Sequence, residues 1–343
     1  MTVPIKKVPS EKIVSLEETD FVKLIADQTP MIFKGLAAQL PLVQAGLSSS
    51  QTAMDHLRPY YQGKPLTVFK GAPSIKGRFS YNAEVNGFNY SAERMSLDAF
   101  FDQVNLHLDD SDPPSFYLGS TDLDTYFPGL LDSDGLRLDG EVFRQGGVLK
   151  SIWLGNRTTA CAHFDISHNL AVCMAGHRRF TLFEPGQIAN LYPGPLEPTP
   201  GGQAISLVDF TNPDFVAYPR FREALASAQV AELEPGDALF YPSMWWHQVE
   251  ALDPFNILIN YWWNTTPAYV DTPMNTLLHG LLSLRERSAA EKAAWRAVFD
   301  YYLFGAADLA RAHILSTGQG DLAPLDALKA RKLRAVLLNR FNR

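Results

Sequence analysis

The sequence predicts a mainly β fold of the sandwich or barrel type, preceded by helical additions and followed by a helical segment. Three observations carry this. From about Gly147, short apolar runs recur between Gly, Asn or Pro residues: Val148–Leu154, Ala160–Asp165, Leu170–Ala175, Arg179–Phe183, Val230–Leu233, Ala238–Tyr241, His247–Ala251 and Ile257–Trp262. About eight short strands at this spacing suit a sandwich or barrel rather than βαβ units. Beyond Pro267 the apolar residues take helical spacing instead. At 343 residues the chain has room for one large domain with an appendage, or for two domains. The predicted division is 1–268 and 269–343.

The N-terminal elements follow from local pattern. Phe21, Leu24 and Ile25 have helical spacing after Thr19-Asp20, and Met31-Ile32-Phe33 is a short strand ending at Gly35. A helix is expected over Ser50 to Leu57. Another starts at Ser96, whose hydroxyl suits the N-cap before Leu97, Phe100 and Phe101. Phe79–Tyr81 and Phe88–Tyr90 flank Asn86-Gly87, a hairpin-type turn signal. Ser115–Leu118 reads as a further strand. Between Phe183 and Val230 runs a long connection rich in Pro and Gly (Pro193 to Gly202), with one helix near Arg220 to Ser227.

The tail holds three apolar clusters: Leu277 to Leu284, then Ala293, Val298, Phe299 and Tyr302, then Leu322 to Leu338. This exceeds what one small cap needs, so a homodimer through these helices is expected. The basic residues Lys329, Arg331, Lys332, Arg334, Arg340 and Arg343 read as a solvated helix face. A net charge of −7 gives no general attraction to nucleic acid or anionic membrane. Cys161 and Cys173 lie in apolar runs and read as small core residues of a reducing compartment. The segment Met1 to Lys7 lacks the apolar core of a signal peptide, and no apolar run has the length of a membrane span. A cytoplasmic protein is the expectation.

The chemistry concentrates in two distant segments, Ala162-His163-Phe164-Asp165 and Glu234 to His247. Residues i and i+2 of a strand face the same way, so His163 and Asp165 present an imidazole and a carboxylate side by side. His247 on another strand would complete a face of two histidines and one carboxylate. Such a set suits a non-haem Fe(II) centre with open coordination positions. His168 and His177 are left outside this set.

The ordered motifs carry a resemblance. His163-Phe164-Asp165, Pro235-Gly236-Asp237 and Pro242 to His247, with Leu191-Tyr192-Pro193, Val208-Asp209-Phe210, Asn212-Pro213-Asp214 and Asn260-Tyr261-Trp262, are similar to the cupin-like JmjC family of 2-oxoglutarate oxygenases, its asparaginyl hydroxylases in particular. The likeness covers roughly residues 115–265, and Ile32 to Leu36 more loosely. It implies a double-stranded β-helix (a jelly-roll of eight strands), with His163, Asp165 and His247 as iron ligands and 2-oxoglutarate as co-substrate. Arg178 replaces a lysine that the resemblance implies for the distal carboxylate of 2-oxoglutarate. A guanidinium also suits that task by itself, gripping a carboxylate through two N–H groups. Tyr117 matches a tyrosine that helps hold the same carboxylate. Asn169 and Asn260 match amides of the iron pocket, and Trp246 and Trp262 are expected as pocket walls.

Two further departures stand out. Ala160 replaces a threonine that contacts 2-oxoglutarate, and Gly119 replaces a glutamine that contacts a peptide substrate. The implied function is Fe(II)- and 2-oxoglutarate-dependent hydroxylation of a protein side chain or small molecule. Two other readings stay open on the residues: a cupin isomerase or hydrolase using another divalent ion, and a non-catalytic metal-binding module. Binding of 2-oxoglutarate to the metal-loaded protein separates the first reading from these.

Overall fold

The computed structural model describes residues 6–144, 146–306 and 308–342. They form two compact units, Met1–Thr265 and Thr266–Arg343.

Eight strands organise the first unit: β1 (Leu149–Gly155), β2 (Thr159–Phe164), β3 (His168–Ala175), β4 (Arg178–Phe183), β5 (Gln229–Leu233), β6 (Ala238–Tyr241), β7 (Trp246–Ala251) and β8 (Asn256–Trp263). One sheet has the order β6-β3-β8-β1 and the other β5-β4-β7-β2, all antiparallel. The chain crosses between the two sheets at nearly every step, which is the double-stranded β-helix of a jelly-roll. The first sheet continues through Met31–Phe33 and Ser10–Glu11 beyond β6, and through Ser115–Asp122, Leu66–Gly71 and Ser91–Met95 beyond β1. The second gains Lys6–Lys7 beside β5 and Arg78–Phe79 beside β2.

Alternation along the strands sets where each side chain goes. In β3, Leu170, Val172 and Met174 join one core with Phe100, Phe101, Ile257 and Ile259, on the face covered by helices. Ala171 and Cys173 point the other way, into the space between the sheets, with Phe180, Leu182, Leu239 and Leu258. Every residue of β3 is therefore buried. The covering helices are Phe21–Ala26, Pro41–Ser48, Ser50–Leu57 and Leu97–Leu106. Gly46 is where one of them presses onto the sheet: a Cβ there would sit 2.7 Å from Ala175 Cβ and 2.9 Å from Met174 O.

Ser96 caps its helix as expected, its hydroxyl accepting from Ala99 N. The helix over Pro41–Ser48 lies outside the sequence expectation, although Pro41 at its first position is a recognised start signal. Strands Leu66–Gly71 and Ser91–Met95 also lay outside it, the latter being mostly exposed. Asn86-Gly87 closes a loop with the single bridge Tyr81↔Phe88, not a regular hairpin. Phe79 pairs in parallel with Ala160 of β2 instead.

The turn between β5 and β6 has a specific construction. Gly236 takes a left-handed φ of 95°. The buried Asp237 carboxylate accepts from Lys34 Nζ at 2.6 Å, Gly35 N at 2.9 Å and Glu234 N at 3.0 Å. This ties the Met31–Phe33 edge to the barrel.

In the second unit, helices span Pro273–Leu284, Ala289–Phe299 and Ala327–Phe341. Among its described residues only Ala310 and Ala330 are buried, while Leu282 and Phe304 are about four-fifths exposed, at 80% and 78%. No helix among the described residues is long and apolar enough to cross a membrane.

Asp237→Ala leaves Lys34 without its carboxylate and two backbone N–H groups without an acceptor. It should lower unfolding free energy by about 2–3 kcal/mol in a urea titration. A loss below about 0.5 kcal/mol, the level of a neutral surface change, would contradict this role.

Candidate metal centre and its cavity

β2 and β7 pair so that His247 stands directly opposite His163. Their ring centroids are 4.3 Å apart. Asp165 lies just past the end of β2, and its Oδ2 is 3.6 Å from His247 Nε2. One ligand atom from each of the three residues falls within 4.8 Å of the others. Asp165 is thus not a strand residue as parity supposed; the turn after β2 still brings it to the same face.

The two imidazoles are held alike. His163 Nδ1 lies 2.8 Å from Cys161 O, and His247 Nδ1 lies 3.0 Å from Trp245 O. A carbonyl only accepts, so each neutral ring carries its proton on Nδ1 and keeps a lone pair on Nε2. Burial, and secondarily the neighbouring His163, push His247 down to about 4, against a smaller raising effect of Asp165. Its ring is neutral near pH 7, as a metal ligand must be.

The register is enforced from the β6–β7 turn. Ser243 N donates to His168 Nδ1 at 3.1 Å, and Met244 N donates to Asp165 O at 2.7 Å. Met244 itself takes a left-handed φ of 69°, a conformation uncommon outside glycine. His168, outside the ligand set, acts as an acceptor here. Burial lowers it to about 4.

A cavity of about 270 Å³ opens over the triad. Arg178, Tyr117, Asn260 and Trp262 line it, together with His163, Asp165 and His247. Parity on β4 turns Arg178 inward with Phe180, while Arg179 turns out to Glu232 at 3.1 Å. Arg178 is 3% exposed, and its Nε and Nη2 have no hydrogen-bond partner. No carboxylate among the described residues pairs with it. A buried cation without a partner destabilises the fold. Tyr117 lies close enough for its titration to feel Arg178, and burial raises its phenol well above the ordinary range, so it remains a donor.

Two expectations are corrected. Trp246 does not wall the pocket: it neighbours His247 on β7, so it faces the opposite way. It is buried against Phe164, with ring centroids 5.2 Å apart, in a cluster with Leu191, Val208 and Phe221. Asn169 does not line the cavity either. It sits fully buried behind Asp165, donating from Nδ2 to Asp165 Oδ2 at 3.2 Å.

Other wall residues were not anticipated. Tyr241, whose ring centroid is 4.6 Å from that of His247, shares the inward face of β6 with Leu239. Phe79, Tyr90 and Trp153 add an aromatic rim, with Phe79 and Tyr90 5.2 Å apart edge to face. Pro200, Gly201 and Gln203 come from the long connection after β4. The ends of that stretch are pinned together by Gly194 N to Ile205 O at 2.9 Å and Leu207 N to Tyr192 O at 3.0 Å.

The model of the cupin-like domain matches residues 17–269. Similar proteins include a lysine-specific demethylase, JMJ31, of Arabidopsis thaliana, 28% identical over 66% of this chain and 46% of its own length. HSPB1-associated protein 1 of Homo sapiens is 34% identical over 34% of this chain and 24% of its own. The tRNA wybutosine-synthesizing protein 5 of Gallus gallus is 34% identical over 37% of this chain and 34% of its own. The matched region thus spans less than half the length of each of these relatives.

His168 and His247 both bind fewer protons in the fold than in the unfolded chain between about pH 6.5 and 4. Stability is therefore present above that window and falls as pH drops through it, by about 1.4 kcal/mol per pH unit for each histidine. Urea titrations of metal-free protein at pH 7.5, 6 and 5 should show the midpoint falling. An unchanged midpoint would mean these rings are not held neutral.

Proposed function

The chain belongs to the cupin-like domain family, of JmjC type, and from that premise we propose that it is an Fe(II)- and 2-oxoglutarate-dependent oxygenase that hydroxylates a protein side chain or a small molecule. The observation that carries this reading is the unpartnered Arg178 guanidinium, buried in the same cavity as the triad. A metal site alone fits many cupins. A metal site beside a buried, waiting cation fits a ligand that binds metal at one end and presents a carboxylate at the other.

His163 and His247 would each offer Nε2, and Asp165 a carboxylate oxygen. Two histidines and one carboxylate are the donor set of non-haem Fe(II) oxygenases, which leave positions for co-substrate and dioxygen. When bound, Fe(II) with 2-oxoglutarate supplies the oxidising chemistry: two of the four electrons dioxygen takes come from 2-oxoglutarate, giving succinate and carbon dioxide, and two from the substrate C–H bond. Arg178 and the Tyr117 hydroxyl hold the far carboxylate. The aromatic rim of Phe79, Tyr90 and Trp153 excludes water from the reacting end, and Trp262 remains a wall residue.

Ala160 lines the cavity, so the threonine contact of the asparaginyl hydroxylases has no counterpart at that position. Arg178 offers two unpaired donor atoms, enough for a bidentate grip that makes a third contact less necessary. The named relatives include a lysine-specific demethylase and a tRNA wybutosine-synthesizing protein, so one scaffold serves unlike substrates. The exposed apolar helices of the second unit are assigned to contact with a second copy of this chain.

Anaerobic titration of 2-oxoglutarate into Mn(II)- or Fe(II)-loaded protein tests the assignment. His163→Ala should abolish metal-dependent binding. Arg178→Ala should weaken 2-oxoglutarate by about a hundredfold, the cost of removing one charged partner, with metal affinity nearly intact. Unchanged 2-oxoglutarate binding in both variants would sink the oxygenase reading. For the assembly, light scattering of the full chain should give a dimer mass, and deletion of residues 269–343 a monomer. A monomeric full chain ends that idea.

A further inference from the structure

The three candidate ligands are not supported in the same way. His163 and His247 are each oriented by a backbone carbonyl two residues back along the chain. Such support is independent of any other side chain. Asp165 lies outside regular structure, and one of its carboxylate oxygens is held by a side chain from another strand. Asn169 Nδ2 on β3 donates to Asp165 Oδ2 at 3.2 Å, and Asn260 Nδ2 on β8 donates to Asn169 Oδ1 at 2.6 Å.

The direction of this chain of bonds is dictated from one end. An ionised carboxylate only accepts, so Asn169 must turn its NH₂ toward Asp165. Its oxygen then faces Asn260, which must turn its own NH₂ toward Asn169. Neither amide can rotate without placing oxygen against oxygen. Asn260 Oδ1 is then turned away from Asn169 and accepts from no backbone group, with the Tyr241 phenol beside the Asn260 amide. The dianion of 2-oxoglutarate has no N–H or O–H to offer that oxygen. The oxygen of Asn260 therefore takes no part in an anion contact, and any contact of this residue with the co-substrate falls to the second N–H of Nδ2.

We infer that Asn169 and Asn260 are positioning residues: a one-way relay, Asn260 to Asn169 to Asp165, that fixes the Asp165 carboxylate in its metal-facing orientation. The inference rests on the metal-centre reading of His163, Asp165 and His247. It makes Asp165 the one ligand whose geometry depends on residues of the opposite sheet.

Mn(II) affinity, read from the free-ion EPR signal during titration, tests the relay without requiring turnover. Asn169→Ala should weaken Mn(II) by about ten- to a hundredfold, the usual effect of losing an outer partner of a ligand. Asn260→Ala should weaken it less. The Asn169→Ala/Asn260→Ala double variant should be no worse than Asn169→Ala alone, because Asn260 acts only through Asn169. Affinity of the Mn(II)-saturated Asn169→Ala variant for 2-oxoglutarate should stay at the wild-type value, because Asn169 does not line the cavity. If an alanine variant fails to fold, as judged by thermal melting, the volume-conserving Asn169→Leu and Asn260→Leu substitutions carry the same expectations. Unchanged Mn(II) affinity in Asn169→Ala, or additive losses in the double variant, overturns the relay. So does a loss confined to 2-oxoglutarate in Asn169→Ala. A wild-type protein that does not bind Mn(II), or a His163→Ala variant that binds it as well as wild type, overturns the metal reading itself.

Discussion

The site depends above all on the register in which β2 and β7 pair. His163 opposite His247 is one Cα pairing among several, yet a slip of one residue would turn His247 outward and bring Trp246 in. Two kinds of interaction hold it. On the outer face, Phe164 and Trp246 pack together under the long connection. At the β6–β7 turn, His168 and Asp165 capture successive backbone N–H groups of Ser243 and Met244. The first is apolar and tolerant of small shifts, and the second is directional. Packing sets the approximate pairing, and the hydrogen bonds select the register.

The interior between the sheets divides into a dry half and a polar half. Around Ala171, Cys173, Phe180 and Leu182 it is an ordinary apolar core. Toward the triad it carries Asn169, Asn260, Arg178 and Tyr241, all buried. Polar groups left in such a place destabilise unless they are paired. The amides are largely paired with one another and with Asp165, but the guanidinium is not. An anion that pairs with this guanidinium would add to the stability of the fold.

Much of this was legible in the residues. The eight barrel strands fall close to the predicted runs, because strands buried on both faces read as short apolar runs broken by Gly, Asn or Pro. The inward turn of Arg178 followed from its shared parity with Phe180 and Leu182. Parity also misled where the chain leaves the strand, since Asp165 reaches the triad from a turn. For Trp246, the same alternation that turns its neighbour His247 inward should have excluded it. Tyr241 and the rim of Phe79 and Tyr90 could not be read locally. Their places depend on which strands become neighbours across sheets, and on a parallel pairing of Phe79 with Ala160 that no local pattern announces. The helix at Pro41–Ser48 was hidden differently: its burial against β3 at Gly46 is a tertiary contact, and its own polar face is short.

The pinned ends of the connection after β4 have a further consequence. Gly194 and Ile205 are bonded to each other, and Ser206 N donates to Ala162 O of β2 at 2.7 Å. The ten residues between Gly194 and Ile205 therefore form a closed excursion. Their ends are anchored to the strand that carries His163, and their middle supplies Pro200, Gly201 and Gln203 to the cavity wall. Chain closure depends only weakly on loop length. Insertions or replacements within the excursion leave the anchors, and with them the ligand strands, where they are. The fold thus keeps the strands that bear the triad apart from a stretch of cavity wall whose length and residues can change without rebuilding the barrel.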